Sequence, residues 1–252
     1  MTDTPRRPLW IFLHVPKCGG TTLKAHLERH FAMDEQLVEF SNWGRRYRKE
    51  QGRPEFADRP AEERTRAEIL AGHQLDYGIH RLVPGLREPR YVTVVRDPAE
   101  RCVSLYNFRW SRGHAPDDFD DWYMNWYRPE QSDYMVRFFA QRLYGADLPA
   151  DPEQQLAMAQ RLLELCWFAT TTDRWNEGLD FLSAAMGIPA DWDHYRAAGR
   201  SIELPASHPS QGEVVARRVT LDDALRAHIH ADSPGDVRLV DWVRARRWPL
   251  AD

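Results

Sequence analysis

The chain has 252 residues, 42% of them apolar and 29% charged, which is ordinary globular usage and excludes disordered and fibrous classes. Its length suits one sizeable domain, predicted to span residues 1–252. A net charge of −4, from 34 basic against 38 acidic residues, argues against a general nucleic-acid binder and leaves anion recognition to local basic pockets.

Residues 1–8 read as a frayed polar lead-in. The apolar run Leu9–Val15 then predicts a buried strand, and Leu9–Leu13, its longest uninterrupted part, is far short of the ~20 residues of a membrane span. No secretory signal pattern precedes it, so a cytoplasmic chain without a membrane span is expected. Pro16 and the Gly19-Gly20 pair end the strand in a tight turn. Thr21 and Thr22 follow where N-cap residues belong, and Leu23, Leu27, His30 and Phe31 fall at helical spacing.

From Ser41 to Glu68 the chain is polar and arginine-rich, with one or two amphipathic helical stretches and a loop about Gly52–Pro54. Ile69–Ala71 predicts a second short inner strand, stopped by Gly72, that delivers His73 at its end. After a loop with Gly78, Pro84 and Gly85, Arg90–Val95 is the most β-rich run of the sequence. Asp97 is a good N-cap for the next helix, and Pro98 suits its first turn.

The segment Tyr106–Tyr144 is crowded with aromatic residues and predicts helices joined at Gly113–Asp118 and Arg128-Pro129. These aromatics read chiefly as core, although Trp110, Trp122 or Trp126 could stack on a sugar ring. A helix over Pro152–Glu164, a strand over Cys166–Thr171 and a helix over Asn176–Met186 follow, then a loop about Pro205–Gly212 and helices over Leu221–His230 and Pro234–Arg247. Strands alternating with helices predict an α/β fold, a mainly parallel central sheet flanked by helices. Cys18, Cys102 and Cys166 fit neither a zinc site nor a disulfide framework, and no metal is expected.

In such a sheet ligands bind beyond the carboxyl ends of the strands. Three predicted strands end in chemically capable residues: His14–Lys17, His73 and Arg96. In Pro16–Thr22 the glycines let backbone N–H groups approach a ligand, the helix start favours an anion, and Lys17, Thr21 and Thr22 add donors. Only three of the 34 basic residues are lysine (Lys17, Lys24 and Lys49), and one of them stands in this turn. Its lysine precedes the glycines, unlike the nucleotide triphosphatase pattern G-x-x-x-x-G-K-[ST]. The bland alternative is a plain strand-to-helix turn with a solvated lysine.

Arg96 can offer a bidentate fork to a phosphate, and Ser104, on the following helix, is placed to share its pocket. Asp97 and Arg101, four apart, predict a local ion pair with a structural role. Cys18 has no paired base and is read as a backbone contributor.

The residues His14–Leu23 (HVPKCGGTTL) and Tyr91–Tyr106 (YVTVVRDPAERCVSLY), with Ala71-Gly72-His73 between them and Thr170–Leu182 after, resemble the sulfotransferases that use 3′-phosphoadenosine 5′-phosphosulfate (PAPS). The resemblance is to the carbohydrate branch typified by heparan sulfate 2-O-sulfotransferase and covers roughly residues 9–190. It implies a P-loop-like sulfotransferase fold, with Lys17, Cys18, Gly19, Gly20, Thr21 and Thr22 around the 5′-phosphosulfate and Arg96 with Ser104 on the 3′-phosphate. PAPS would be the co-substrate, 3′,5′-adenosine bisphosphate the product, and no metal would be needed. It further implies His73 as the general base on an acceptor hydroxyl, with Lys17 stabilising the leaving phosphate; His80 is the rival base. The expected partner is a carbohydrate, glycolipid or secondary metabolite rather than a nucleic acid. In Ala206–Glu213 the family often has a basic loop near the adenine, but this stretch has His208 and no lysine or arginine until Arg217. The competing readings are a P-loop ATP-dependent kinase and a non-catalytic module binding a nucleotide or sulfated glycan.

Overall fold

The computed structural model describes residues 7–40, 52–110, 112–145, 147–191, 219–246 and 248. The stretch 206–213, discussed above for the adenine end, lies outside them, as does most of the predicted lead-in.

Five strands form one sheet: β1 (Pro8–Leu13), β2 (Leu37–Glu39), β3 (Ile69–Gly72), β4 (Glu88–Val95) and β5 (Phe168–Thr171). They lie in the order β2-β3-β1-β4-β5, and every neighbouring pair is parallel. The expected parallel sheet is present, with differences in detail: β3 includes Gly72, expected to stop it, and β5 starts at Phe168 rather than Cys166. Pro8, assigned to the lead-in, is the first residue of β1 and pairs with Glu88. The edge strand β2 was not predicted from sequence; three residues are too few to show a period.

β1 is central, and from Leu9 to Leu13 no residue is more than 4% exposed, so the strand reads as an unbroken apolar run. Its side chains still alternate between two layers. Leu9, Ile11 and Leu13 enter one core with Phe138, Phe139, Leu162 and Leu239; Trp10 and Phe12 enter the other with Leu23, Leu27, Leu179 and Leu182.

The helices follow in chain order: α1 (Gly20–His30), α2 (Gly52–Ala57), α3 (Ala61–Arg64), α4 (Pro98–Trp110), α5 (Phe119–Trp122), α6 (Arg128–Gln131), α7 (Tyr134–Tyr144), α8 (Pro152–Glu164), α9 (Trp175–Met186), α10 (Asp223–Asp232) and α11 (Pro234–Ala245). Thus α1 and α9 cover one face of the sheet, and α7, α8 and α11 the other. Gly52–Pro54, expected as a loop, instead opens α2. Arg128-Pro129, expected as a joint, is also helical: a π-helical turn over Tyr123–Tyr127 runs directly into α6. Pro129 sits in the first turn of α6, where a missing N–H costs little.

The aromatic segment forms a third cluster, in which Tyr106, Trp122, Tyr123 and Tyr127 pack on Ala99, Cys102 and Ile229. At 3% exposure Trp122 is core and unavailable to a ligand, whereas Trp110 and Trp126 are only half-buried.

Candidate active site

The parallel register sets Leu13 beside Gly72 on one side and Thr93 on the other, so β1, β3 and β4 release their chains at one end of the sheet. His14 follows β1, His73 follows β3, and Arg96 follows β4. The His14 ring stacks on Phe12 with centroids 5.2 Å apart and meets the His73 ring at 4.1 Å. It also presses on the start of α1: a Cβ at Gly20 would stand 1.9 Å from His14 Nε2, so only glycine fits there.

The turn between β1 and α1 is held in an unusual conformation. Lys17 has φ +67° and Gly19 φ +81°; the first is a left-handed conformation that non-glycine residues seldom adopt. Two arginines hold its carbonyls. Arg96 Nη1 donates to the Lys17 oxygen at 3.2 Å, and Arg101 Nε donates to the Pro16 oxygen at 3.3 Å. Gly19 caps α1, so Thr21 and Thr22, expected as N-cap residues, lie within the first helical turn instead. Gly20 and Thr21 therefore have N–H groups with no helical acceptor four residues back.

Lys17 Nζ lies over the Phe108 ring, 4.0 Å from its centroid. Burial, and then the charges of Arg96, Arg112 and Arg101, pull its pKa down to about 8. Arg101, Ser104 and Phe108 recur at three- and four-residue spacing, which sets Ser104 on the face of α4 that looks to this turn. Lys17, Gly19, Gly20, Thr21 and Thr22 thus share one turn, Arg96 bonds to it, and Ser104 lies on α4 one turn before Phe108. Cys18 is buried, with its thiol pushed up to about 12, chiefly by desolvation.

The expected Asp97–Arg101 ion pair does not form. Arg101 is 1% exposed and reaches Pro16, Tyr127 and, at 2.8 Å, Gln131. Asp97 does cap α4, accepting from the Glu100 N–H at 3.0 Å, but its side-chain partners are on α10: the Arg226 guanidinium at 2.9 Å and His230 Nε2 at 2.8 Å.

His73 Nδ1 lies 2.7 Å from the His14 carbonyl oxygen. A carbonyl can only accept, so Nδ1 carries the proton and Nε2 keeps its lone pair. Desolvation holds the imidazole below its ordinary pKa, keeping it neutral near pH 7. His80 sits elsewhere. Its Nδ1 meets the Tyr91 hydroxyl at 2.8 Å, and with Leu9, Arg87 and Pro89 it lines a cavity of about 350 Å³ at the amino ends of the strands. That placement sets His80 at the opposite end of the sheet from Lys17, whereas His73 packs on His14 beside the turn.

Trp175 was not singled out from sequence. Its Nε1 is buried without a hydrogen-bond partner among the described residues and would lie 3.0 Å from a Cβ on Gly19. An idle donor against a glycine turn ringed by cations is what an anionic ligand would satisfy. Its only signal in the sequence was its place within Thr170–Leu182.

The family described as "Sulfotransferase family" matches residues 4–137, more than half of the chain. No curated protein matches the sequence. A solved structure described as a sulfotransferase from Alicyclobacillus acidocaldarius is 15% identical, covering 96% of this chain and 98% of its own, with a TM-score of 0.48.

Proposed function

Since this chain belongs to the sulfotransferase family, we propose that it transfers a sulfuryl group from PAPS to a hydroxyl of a carbohydrate, glycolipid or related secondary metabolite. The observation that carries this reading is the gathering of cations at the strand ends. Arg96 grips the Lys17 carbonyl, while Lys17 is held near pH 8 by burial and by Arg96, Arg112 and Arg101. Like charges crowd this way at a cost unless an anion completes the site.

The Lys17–Thr22 turn would hold the 5′-phosphosulfate through backbone N–H groups, the Thr21 and Thr22 hydroxyls and the Lys17 ammonium. Arg96 and Ser104 would hold the 3′-phosphate. PAPS, when bound, supplies a sulfuryl group activated by attachment to phosphate. Lys17 offers positive charge where the departing phosphate gains negative charge. His73 accepts the acceptor hydroxyl proton at Nε2, while its Nδ1–H bond to the His14 carbonyl fixes the ring and supports the imidazolium that results. Trp110 and Trp126 are half-buried, with the Arg109 guanidinium 4.3 Å from the Trp126 ring centroid, and would offer their exposed edges to an acceptor sugar.

Transfer of labelled sulfate from PAPS to a panel of glycosides, glycolipids and phenols tests this. Native protein should label at least one hydroxyl acceptor. His73→Ala should lower kcat ~10²–10⁴-fold with the Kd for 3′,5′-adenosine bisphosphate unchanged. Nucleotide binding with no labelled product from any acceptor would leave a binding module and overturn the proposal.

A further inference from the structure

Away from the glycine turn, at the far end of α1, two imidazoles and a carboxylate converge without forming hydrogen bonds to one another. His26 and His30 are four residues apart on one face of α1, with ring centroids 4.8 Å apart. Asp191 approaches from the segment that follows α9. That segment is anchored by the Ile188 N–H, which donates to the Ser183 oxygen at 3.0 Å. Asp191 Oδ1 lies 3.5 Å from His26 Nδ1 and 3.7 Å from His30 Nε2, and the three ligand atoms all lie within 4.8 Å of one another.

Those separations are too long for good hydrogen bonds. The two Asp191–imidazole separations are close to the edge of a tetrahedron, which is about 3.3–3.5 Å for ligand atoms at zinc distances, and the two imidazole nitrogens lie within 4.8 Å of each other. Two of the atoms are also unsatisfied: among the described residues, His30 Nε2 and Asp191 Oδ1 are buried with no hydrogen-bond partner. The carboxylate is oriented as well. Arg29 holds its other oxygen at 2.8 Å, which aims Oδ1 at the two rings in the way an outer-shell partner orients a metal ligand.

We propose that His26, His30 and Asp191 bind one borderline divalent transition-metal ion of the zinc class, tying the end of α1 to the chain beyond α9. Two imidazole nitrogens and one carboxylate oxygen are a donor set that suits zinc and its neighbours over magnesium or calcium. The His26 side chain is fully buried while that of Asp191 is 41% exposed, so an ion would enter from the Asp191 side. Because the α1 helix starts at the Lys17–Thr22 turn, the ion would brace the element that presents the anion site without touching it.

Full-length protein stripped with a chelator should take up one equivalent of zinc chloride in calorimetry and by elemental analysis, with a rise in Tm. Cobalt chloride should give the visible absorption of a low-symmetry, four- or five-coordinate ion. His30→Ala and Asp191→Asn, both outside the fully buried core, should weaken zinc binding by ~100-fold or more and abolish the Tm rise. His228→Ala, which alters the separate His228–Asp232 pair on α10, should keep both. No stoichiometric zinc on the native chain would overturn the proposal, as would undiminished affinity in both His30→Ala and Asp191→Asn. Metal stoichiometry and Tm are read without any sulfuryl transfer, so this result stands apart from that of the labelling assay.

Discussion

At the scale of single residues, two groups at the candidate site are moved below their ordinary pKa values: the shift of His73 favours the neutral form a base needs, while that of Lys17 narrows the pH range over which it is charged. His73 is held below the usual imidazole value by desolvation, and Lys17 is lowered to about 8 by burial and neighbouring arginines. The base must be neutral and the lysine charged. Accordingly, kcat/KM should rise through a pKa below the ordinary histidine value of about 6.5 and fall as pH passes about 8. Lys17→Arg, which keeps its charge at every accessible pH, should remove the alkaline fall even though its rate is lower. A pH–rate profile of both proteins reads this directly, and an alkaline limb unchanged in Lys17→Arg would rule Lys17 out as its source. His73 and Lys17 were legible in the sequence because each stands where an apolar run meets glycine. Arg101 and Trp175 were not. Arg101 takes its partners from 30 residues downstream and Trp175 faces a turn more than 150 residues earlier, choices that tertiary packing makes.

At the scale of elements, what positions the site is a set of helix starts fixed by carboxylates. Asp97 caps α4 and is gripped by α10, so the C-terminal helices bear on the residue next to Arg96. A second such device is Asp236 on α11. It is 1% exposed and accepts from the Val136 N–H at 2.9 Å and the Met135 N–H at 3.2 Å, capping α7. Asp236→Ala would leave two buried N–H groups without acceptors, and the stability measured by urea unfolding should fall by about 2–5 kcal/mol. A loss under 1 kcal/mol would mean the cap is dispensable. Strands β1, β3, β4 and β5 and the long helices were readable from periodicity and caps. The edge strand β2 was too short to read, and the π-helical turn at Tyr123–Tyr127 depends on aromatic packing that no local pattern announces.

At the scale of the whole molecule, parallel connectivity opens β1, β3 and β4 at one end, and in a chain of net charge −4 Lys17, Arg96 and Arg101 meet there. Among the described residues no helix is long and apolar enough to cross a membrane. The α/β architecture follows from alternating strand and helix signals, since each inner strand must be covered on both faces. Arg96, which follows β4, and Lys17, which follows β1, meet at that end through a hydrogen bond of 3.2 Å from Arg96 Nη1 to the Lys17 carbonyl oxygen.

The central claim is that these two strand ends grip the two phosphate ends of one nucleotide. Calorimetric titration of 3′,5′-adenosine bisphosphate and of 5′-AMP, into native protein and Arg96→Ala, tests it most directly. The account predicts that the native protein prefers the bisphosphate by roughly 10–150-fold, the worth of a charge-assisted contact, and that Arg96→Ala keeps only the smaller preference that Ser104 supplies. Equal affinities in the native protein, or an undiminished preference in Arg96→Ala, would contradict it.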